Sequence, residues 1–521
     1  MGEQERVFDY IVVGAGAAGC VAARRLHDGG ASVLVLEAGG SSDDELIADP
    51  ARFPELGSGR HDWGYVTEPQ RRLGGRRLRW AQGRVVGGGS SVNGVVWIRG
   101  AASDYDHWAY LGNVGWSFAE LLETFRRIED SDRGASELRG AGGPMPVWTG
   151  WEPDPIHRSV IDAMQELGVP FNDDHNGREI LGTGYCQYNV RDHRRVSAAD
   201  AYLLPVVGPG MLELIEHASA RRLVFEHGRC VGVEFSHDGR LERARASAEV
   251  IVSAGPVGSA KLLLLSGIGP ADQLAPHGID AVADLRGVGA NLHDHVHVPI
   301  EFTAQRPIGP PPPGVTVMQT NTFLRTQESR FGPDLQAPSL SWLTPYEGVE
   351  SIAGSGFTVA ATILRTASRG RVRLAGADPD TAPLIDPATY EAPGDLDSML
   401  AGLRFLRGLA ATSALQEWGA REVLPGPGVG DEDLAAYARR MTFTASHPVG
   451  TCKMGIDADA VVDPQLRVRG VERLRVADSS VMPAVTSGNT HVASLVIGER
   501  AAEMALATAG AGVRAAIGEA G

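Results

Sequence analysis

Residues 10–13, Tyr-Ile-Val-Val, form an apolar run of β-type residues that enters Gly14-Ala15-Gly16-Ala17-Ala18-Gly19. An Ala-rich helical segment follows over 17–26, and a second apolar strand over 32–36 ends in Glu37. This strand, glycine turn, helix, strand and acid have the order of a dinucleotide-binding βαβ unit. Gly14 permits the tight turn, Gly16 lets a pyrophosphate approach the backbone, and Gly19 lets helix and strand pack closely. The helix N-terminus offers free N–H groups and a partial positive charge to phosphates. Glu37 falls where a carboxylate accepts from a ribose hydroxyl and repels a 2′-phosphate. Gly14, Gly16, Ala17, Ala18, Gly19, Glu37 and Ala38 are therefore the first cofactor-binding candidates.

A chain of 521 residues exceeds one ordinary domain and holds two or three. Its apolar fraction of 43% fills large cores, but aromatics are only 6%, so those cores are built mostly from Ala, Val and Leu. The net charge of −16 argues against a nucleic-acid surface. Cys20, Cys186, Cys230 and Cys452 are widely spaced, with no Cys-x-x-Cys pair and no metal-ligand spacing, so no metal is expected. Few cysteines in a long chain fit a reducing compartment. Residues 1–6 lack the basic start of a signal peptide. No apolar run reaches the ~18 residues of a membrane span. The expectation is a soluble, cytoplasmic protein.

Residues 40–80 read as loop, and Gly83-Arg84-Val85-Val86-Gly87-Gly88-Gly89-Ser90-Ser91-Val92-Asn93-Gly94 is a second glycine-rich loop. Residues 101–130 have helical spacing. Residues 154–167 form an amphipathic helix ending at Gly168. Residues 231–235 and 241–246 flank His237-Asp238-Gly239-Arg240, a good hairpin turn. An apolar strand over 249–254 precedes Gly255-Pro256 and a Leu-rich helix. Between 301 and 400 the texture changes. A stiff run, Pro310 to Pro313, lies among alternating segments at 315–324, 357–363 and 371–374, which read as a largely antiparallel sheet. Residues 396–409 are helical, and 461–507 return to strands and an Ala-rich helix. The fold class is α/β with an α+β part, a Rossmann-type βαβ domain interleaved with a substrate domain on the antiparallel sheet. The expected boundaries are 1–157, 206–300 and 442–521 for the first domain, and 158–205 and 301–441 for the second.

Several stretches together resemble the glucose–methanol–choline (GMC) family of FAD-dependent alcohol oxidoreductases. They are the two glycine-rich loops, Glu37-Ala38-Gly39, Gly255-Pro256-Val257-Gly258-Ser259 through Ser266-Gly267-Ile268-Gly269, and Asn291-Leu292-His293-Asp294-His295. His447-Pro448-Val449-Gly450-Thr451-Cys452-Lys453-Met454-Gly455 and Val476-Ala477-Asp478-Ser479-Ser480-Val481-Met482-Pro483 complete the set, in family order from about residue 8 to about 507. The resemblance implies FAD in the nucleotide fold. It places His447 at the catalytic base and His491 at the partner position, which holds either His or Asn. An imidazole titrates near neutrality and suits proton abstraction from an alcohol. The implied reaction has His447 take the hydroxyl proton and His491 orient the oxygen, while hydride passes from the carbinol carbon to flavin N5.

The resemblance also puts Arg84, Gly87, Gly88, Ser91, Asn93, Gly94 and Val95 along the flavin. Asp478 and Ser479 are placed at its pyrophosphate or ribityl chain, with Ala254 close by. Asn489, Thr490 and Val492 touch the flavin through backbone groups, and Trp63 and Ala220 match adenine-side positions less firmly. Trp63 reads equally well as core. Relatives that bind FAD covalently use a His at the Val92 position, so FAD is expected here without a covalent link. Gly89 replaces a residue that often bears a hydroxyl, and Ala260 stands where the second signature usually has Pro. His293, His295 and His297 read as structural, because Asn291 and Asp294 match the family's turn. Cys452 reads as a small packed residue.

The expected function is FAD-dependent oxidation of an alcohol, primary by preference, to a carbonyl. The alternative is an FAD-containing lyase of the hydroxynitrile lyase type, and a third class is a flavoprotein without activity. The expected partners are a small-molecule alcohol and oxygen or another electron acceptor, with no nucleic acid and no membrane span. Trp97, Trp342, Tyr346, Phe357, Val359 and Phe443 are pocket candidates that serve equally as core, and nothing in the sequence names choline.

Overall fold

The computed structural model describes residues 6–325, 332–346 and 352–519, with side chains to residue 509. Strand β1, Arg6–Val13, sits near the middle of a seven-stranded sheet. It pairs in parallel with β2, Val33–Leu36, on one side and with the long strand Arg240–Val252 on the other. Burial on both faces explains why Ile11, Val12, Val33, Leu34 and Val35 form unbroken apolar runs. Leu212–Ile215 extends the sheet beyond β2, and the antiparallel strands Arg229–His237 and Ser219–Glu226 extend it on the other side. Leu474–Val476, from the far end of the chain, pairs in parallel with Val250, Ile251 and Val252.

Helix α1, Ala17–Asp28, packs beneath this sheet against the helix that begins at His491. The two helices approach so closely that a Cβ on Gly498 would fall 2.4 Å from the Ala18 carbonyl oxygen. The hairpin between Arg229–His237 and Arg240–Val252 turns as expected at Asp238 and Gly239, both at positive φ.

A second seven-stranded sheet is antiparallel throughout. Its order is Arg421–Leu424, Val296–Ala304, Ser355–Ile363, Leu335–Leu340, Met318–Leu324 and Gly182–Tyr185. The short strand Phe443–Thr444 also pairs with Val296 and His297. Helix Pro393–Arg407 packs on this sheet, with Met399, Leu403 and Leu406 buried in its core.

Three expectations change. Residues 101–130 form two helices, Ala102–Tyr110 and Phe118–Ile128, because Gly112 and Gly115 turn the chain at positive φ. The segment at 315–324 is a strand only from Met318. Arg371–Arg373 stands apart from the large sheet, in its own hairpin with Leu384–Asp386. Among the described residues, no helix is long and apolar enough to cross a membrane.

Candidate active site

The first glycine turn is held from three sides. Gly14 has φ +102, and a Cβ there would lie 2.5 Å from the Ser253 carbonyl oxygen. A Cβ on Gly19 would lie 2.0 Å from the Gly14 carbonyl oxygen, so only glycine fits this strand–helix contact. The buried Glu37 carboxylate accepts from the Ala15 N–H at 2.9 Å and the Gly39 N–H at 2.7 Å. Burial pushes this carboxyl up to about 7 against those stabilising bonds.

The second glycine loop lies directly against the first. The Gly87 N–H donates to the Ala15 carbonyl at 2.7 Å. The Ser91 hydroxyl donates to the Val86 carbonyl at 2.7 Å and so braces its own loop. Asn93 Oδ1 accepts from the Val95 N–H at 3.0 Å and from Arg195 Nη1 at 2.7 Å. Gly94 sits beside Phe53 and Met318. Val95 has φ 54, a left-handed conformation that is strained for a β-branched residue.

Asp478 is buried between the ends of two strands. Its carboxylate accepts from the Gly255 N–H at 2.9 Å, the Ser259 hydroxyl at 2.5 Å and the Ser480 N–H at 2.8 Å. It thus ties the strand Leu474–Val476 to the start of helix Gly255–Leu265. Ala254, just before that helix, donates its N–H to the Ser259 hydroxyl. The Ser479 hydroxyl donates to the Pro448 carbonyl at 3.1 Å, next to His447. Ala220 is half-buried on Ser219–Glu226, and Val492 is fully buried. Trp63 is not core. It is 36% exposed, stacked on Tyr65 at 5.7 Å, with the Arg84 guanidinium 5.0 Å from its ring centre.

The strand register brings His447 against residues 293–297. Phe443 pairs with His297, Thr444 with Val296, and Val449 with His293, so the chain carrying His447 runs antiparallel to residues 293–297. His447 Nδ1 lies 3.1 Å from His295 Nδ1, with the rings nearly perpendicular. His447 Nε2 lies 3.2 Å from Asn489 Nδ2. Two residues on, His491 opens the last helix, preceded by Thr490, whose carbonyl accepts from Ser494. The Trp97 ring meets the edge of His491 at 6.3 Å. Burial lowers both His447 and His491 to about 4, and for His491 the Arg195 charge adds to that effect.

Four groups at this site escaped sequence reasoning. His295, read as structural, touches His447 directly. Asn489, expected to act through its backbone, turns its side chain to His447. Asp294 accepts from the His447 main-chain N–H at 2.8 Å and from the Thr444 hydroxyl, and burial raises it to about 7. Arg195 is buried, donates to the Ile47 carbonyl at 2.8 Å as well as to Asn93, and is lowered by desolvation to about 9. The one sequence signal was the alternation of His293, His295 and His297, which put three imidazoles on one side of a strand-like segment.

The residues present fit a flavin dinucleotide. Gly16 is open, since a Cβ there would meet only the Ser253 carbonyl oxygen at 3.9 Å. The first N–H groups of α1 have no partner within the helix, and its N-cap Gly16 supplies no side-chain cap. Arg195 Nη2, beside the second loop, and Asn489 Oδ1, beside the His447 imidazole, are buried polar atoms without a partner among the described residues.

A Rossmann-type sheet with an acid-locked glycine turn, joined to an antiparallel sheet that presents paired histidines, defines a flavoprotein alcohol oxidoreductase. The chain belongs to the GMC oxidoreductase family, matching its N-terminal part over residues 8–297 and its C-terminal part over 366–498. It is 38% identical to the oxygen-dependent choline dehydrogenase of Rhizobium etli and 38% identical to that of Sinorhizobium fredii, over 95% of each chain. Its fold matches pyridoxine 4-oxidase from Mesorbium loti with a TM-score of 0.91 at 33% identity, covering 95% of this chain and 98% of that one. It also matches Aspergillus oryzae formate oxidase with a TM-score of 0.90 at 26% identity, covering 97% and 99%. These relatives are oxidases and dehydrogenases. The protein is accordingly an FAD-dependent alcohol oxidoreductase, and the lyase alternative has no support.

Proposed function

We propose that this enzyme oxidises a neutral primary alcohol to an aldehyde, with His447 as proton acceptor and His491 orienting the alcohol oxygen. The observation that carries this reading is His447 Nε2, which stands against an amide N–H of Asn489 two residues before His491. Bound FAD supplies the hydride acceptor. His447 holds the hydroxyl proton at Nε2 after it leaves the alcohol. In this reading Asn489 and His491 orient the same oxygen by donating N–H to it, and Arg195 holds the Asn93 side chain in place. Glu37 braces the first glycine turn, Asp478 ties strand Leu474–Val476 to helix Gly255–Leu265, and we assign Gly14, Gly16, Ala17, Ala18, Gly19 and Ala38 to the dinucleotide. Val92 has no nucleophile, which supports FAD held without a covalent link. The domain division that best accounts for the strands assigns each large sheet, with its covering helices, to one domain.

A neutral substrate is favoured by the charges. The charged side chain that acts on His491 is the Arg195 cation, and the carboxylate beside His447, Asp294, is occupied by Thr444 and the main chain. Phe443 lies 5.1 Å from His297 and 5.7 Å from Tyr346, an aromatic wall on the same strand pair that carries His447. The positive charge acting on His491 disfavours a quaternary ammonium such as choline at that position.

The test is anaerobic mixing of the yellow protein with a panel of alcohols. Bleaching of the flavin absorbance by benzylic or aliphatic primary alcohols, faster than by choline, is expected. His447→Ala should abolish bleaching. Choline as the best substrate would overturn the neutral-substrate reading and leave the His447 assignment standing. Peroxide formed in step with product identifies oxygen as acceptor, and turnover only with a dye identifies another one. Acid precipitation should leave all the yellow colour in solution.

A further inference from the structure

We infer that His295 is a positioning residue that fixes the proton of His447 on Nδ1, so that the Nε2 lone pair of His447 faces the alcohol. The inference rests on the proton-acceptor reading of His447 above. It starts at the Leu364 carbonyl, 3.1 Å from His295 Nε2. A carbonyl oxygen only accepts, so His295 carries its hydrogen on Nε2. A neutral imidazole has one N–H, so His295 Nδ1 is an acceptor. The group facing that nitrogen at 3.1 Å is His447 Nδ1, which must therefore be the donor. His447 Nε2 is left with its lone pair, and the Asn489 amide N–H donates to it at 3.2 Å.

The opposite tautomer is excluded twice. With the hydrogen on His447 Nε2, two lone pairs would face each other across 3.1 Å at the two Nδ1 atoms, and that N–H would point at the amide hydrogen of Asn489. Both rings stay neutral because burial penalises their charged forms, and His293, His297 and His447 each add to the effect on His295. The groups around the pair agree. His293 bonds to the Asn291 carbonyl and the Val485 N–H, and is faced by the Arg369 cation. His297 bonds to the Thr362 hydroxyl at 2.5 Å. Asp294 turns its oxygens to Thr444 and to the main chain of His447. No carboxylate bonds to either ring among the described residues, so the orienting acceptor is an imidazole backed by a main-chain carbonyl.

The step balances simply. The alcohol O–H bond breaks, an N–H bond forms at His447 Nε2, and His447 Nδ1 keeps its hydrogen, now donated more strongly to His295.

Two measurements test this on the FAD-loaded enzyme. Imidazole 15N NMR of histidine-labelled protein should show His447 protonated at Nδ1 and bare at Nε2. In His295→Leu the Nδ1–H tautomer should lose its dominance. The same variant should lower kcat by 10- to 100-fold with KM within about twofold. His295→Asn, whose Oδ1 falls near the position of His295 Nδ1, should restore kcat to within about fivefold. A purely structural role would lower FAD content and thermal midpoint in both variants without moving the tautomer. An Nε2–H signal for His447 in the unmodified enzyme overturns the inference even if a variant fails to fold, and so does wild-type kcat in a folded His295→Leu. If His447→Ala turns over like the wild type, the proton-acceptor reading falls instead.

Discussion

Gly88 and Gly16 stand face to face, with the position of a Gly88 Cβ only 2.8 Å from the Gly16 Cα. Gly88 also has φ +52, where an L side chain costs about 1–2 kcal/mol before any clash. Gly88→Ala should therefore push the two cofactor loops apart. Gly89, one residue on, has open space around its Cβ position and no positive φ. The expected outcome is loss of most flavin from Gly88→Ala and near-normal content in Gly89→Ala, read from the ratio of visible to protein absorbance after gel filtration.

Glu37→Gln should weaken the same cradle. The carboxylate serves two buried N–H groups, and an amide has one acceptor oxygen, so one of them loses its partner at a cost of about 1–3 kcal/mol. The sign with pH follows from the raised value near 7. The folded state holds this proton more tightly than the unfolded chain, so the carboxyl's contribution is full below about 4.5 and is lost as pH rises through about 7. The difference in thermal midpoint between wild type and variant should thus be smaller at pH 8 than at pH 5.5.

The pH profile of kcat/KM should be flat from about pH 6 to 8 and fall only toward pH 4. His447 acts when deprotonated, and burial holds it near 4, well below a free imidazole. A limb centred near 6.5 would contradict a buried neutral imidazole. Stability should follow a related course. His157 and His293 are held near 3, so the unfolded chain binds protons below about 6.5 that the folded chain refuses, and the thermal midpoint should drop as pH falls from 6.5.

Asp478→Ala should destabilise the junction of strand Leu474–Val476 with helix Gly255–Leu265. The variant leaves the Gly255 N–H, the Ser259 hydroxyl and the Ser480 N–H without their acceptor in a buried site. A loss of about 2–4 kcal/mol is expected from more than one unsatisfied group. It should appear as a lower thermal midpoint and an earlier release of flavin fluorescence on heating.

The glycine turn, Glu37 and the second loop were legible in the sequence because each is a local pattern, whereas the roles of His447 and His491 came only from the family resemblance. A tight turn, a close helix–strand contact or a short motif carries its reason within ten or so residues. The helix boundary at Gly168 and the hairpin at Asp238-Gly239 were legible for the same cause. Trp63 was ambiguous, since a Trp beside Tyr and Gly reads the same in a core or stacked on a surface Arg, and only the position of Arg84 decides.

By itself, the sequence determined a dinucleotide-type βαβ unit and a second, antiparallel sheet, and its family resemblance singled out two imidazoles. Only the tertiary structure decided what surrounds those imidazoles. His295 and His447 are 152 residues apart and meet because Phe443–Thr444 pairs with the start of Val296–Ala304. Arg195 reaches Asn93 across 102 residues, from a short hairpin with no motif reading of its own. Strand register fixes such contacts through the whole sheet's hydrogen bonding and packing, and that register is a property of the assembled fold, not of any segment.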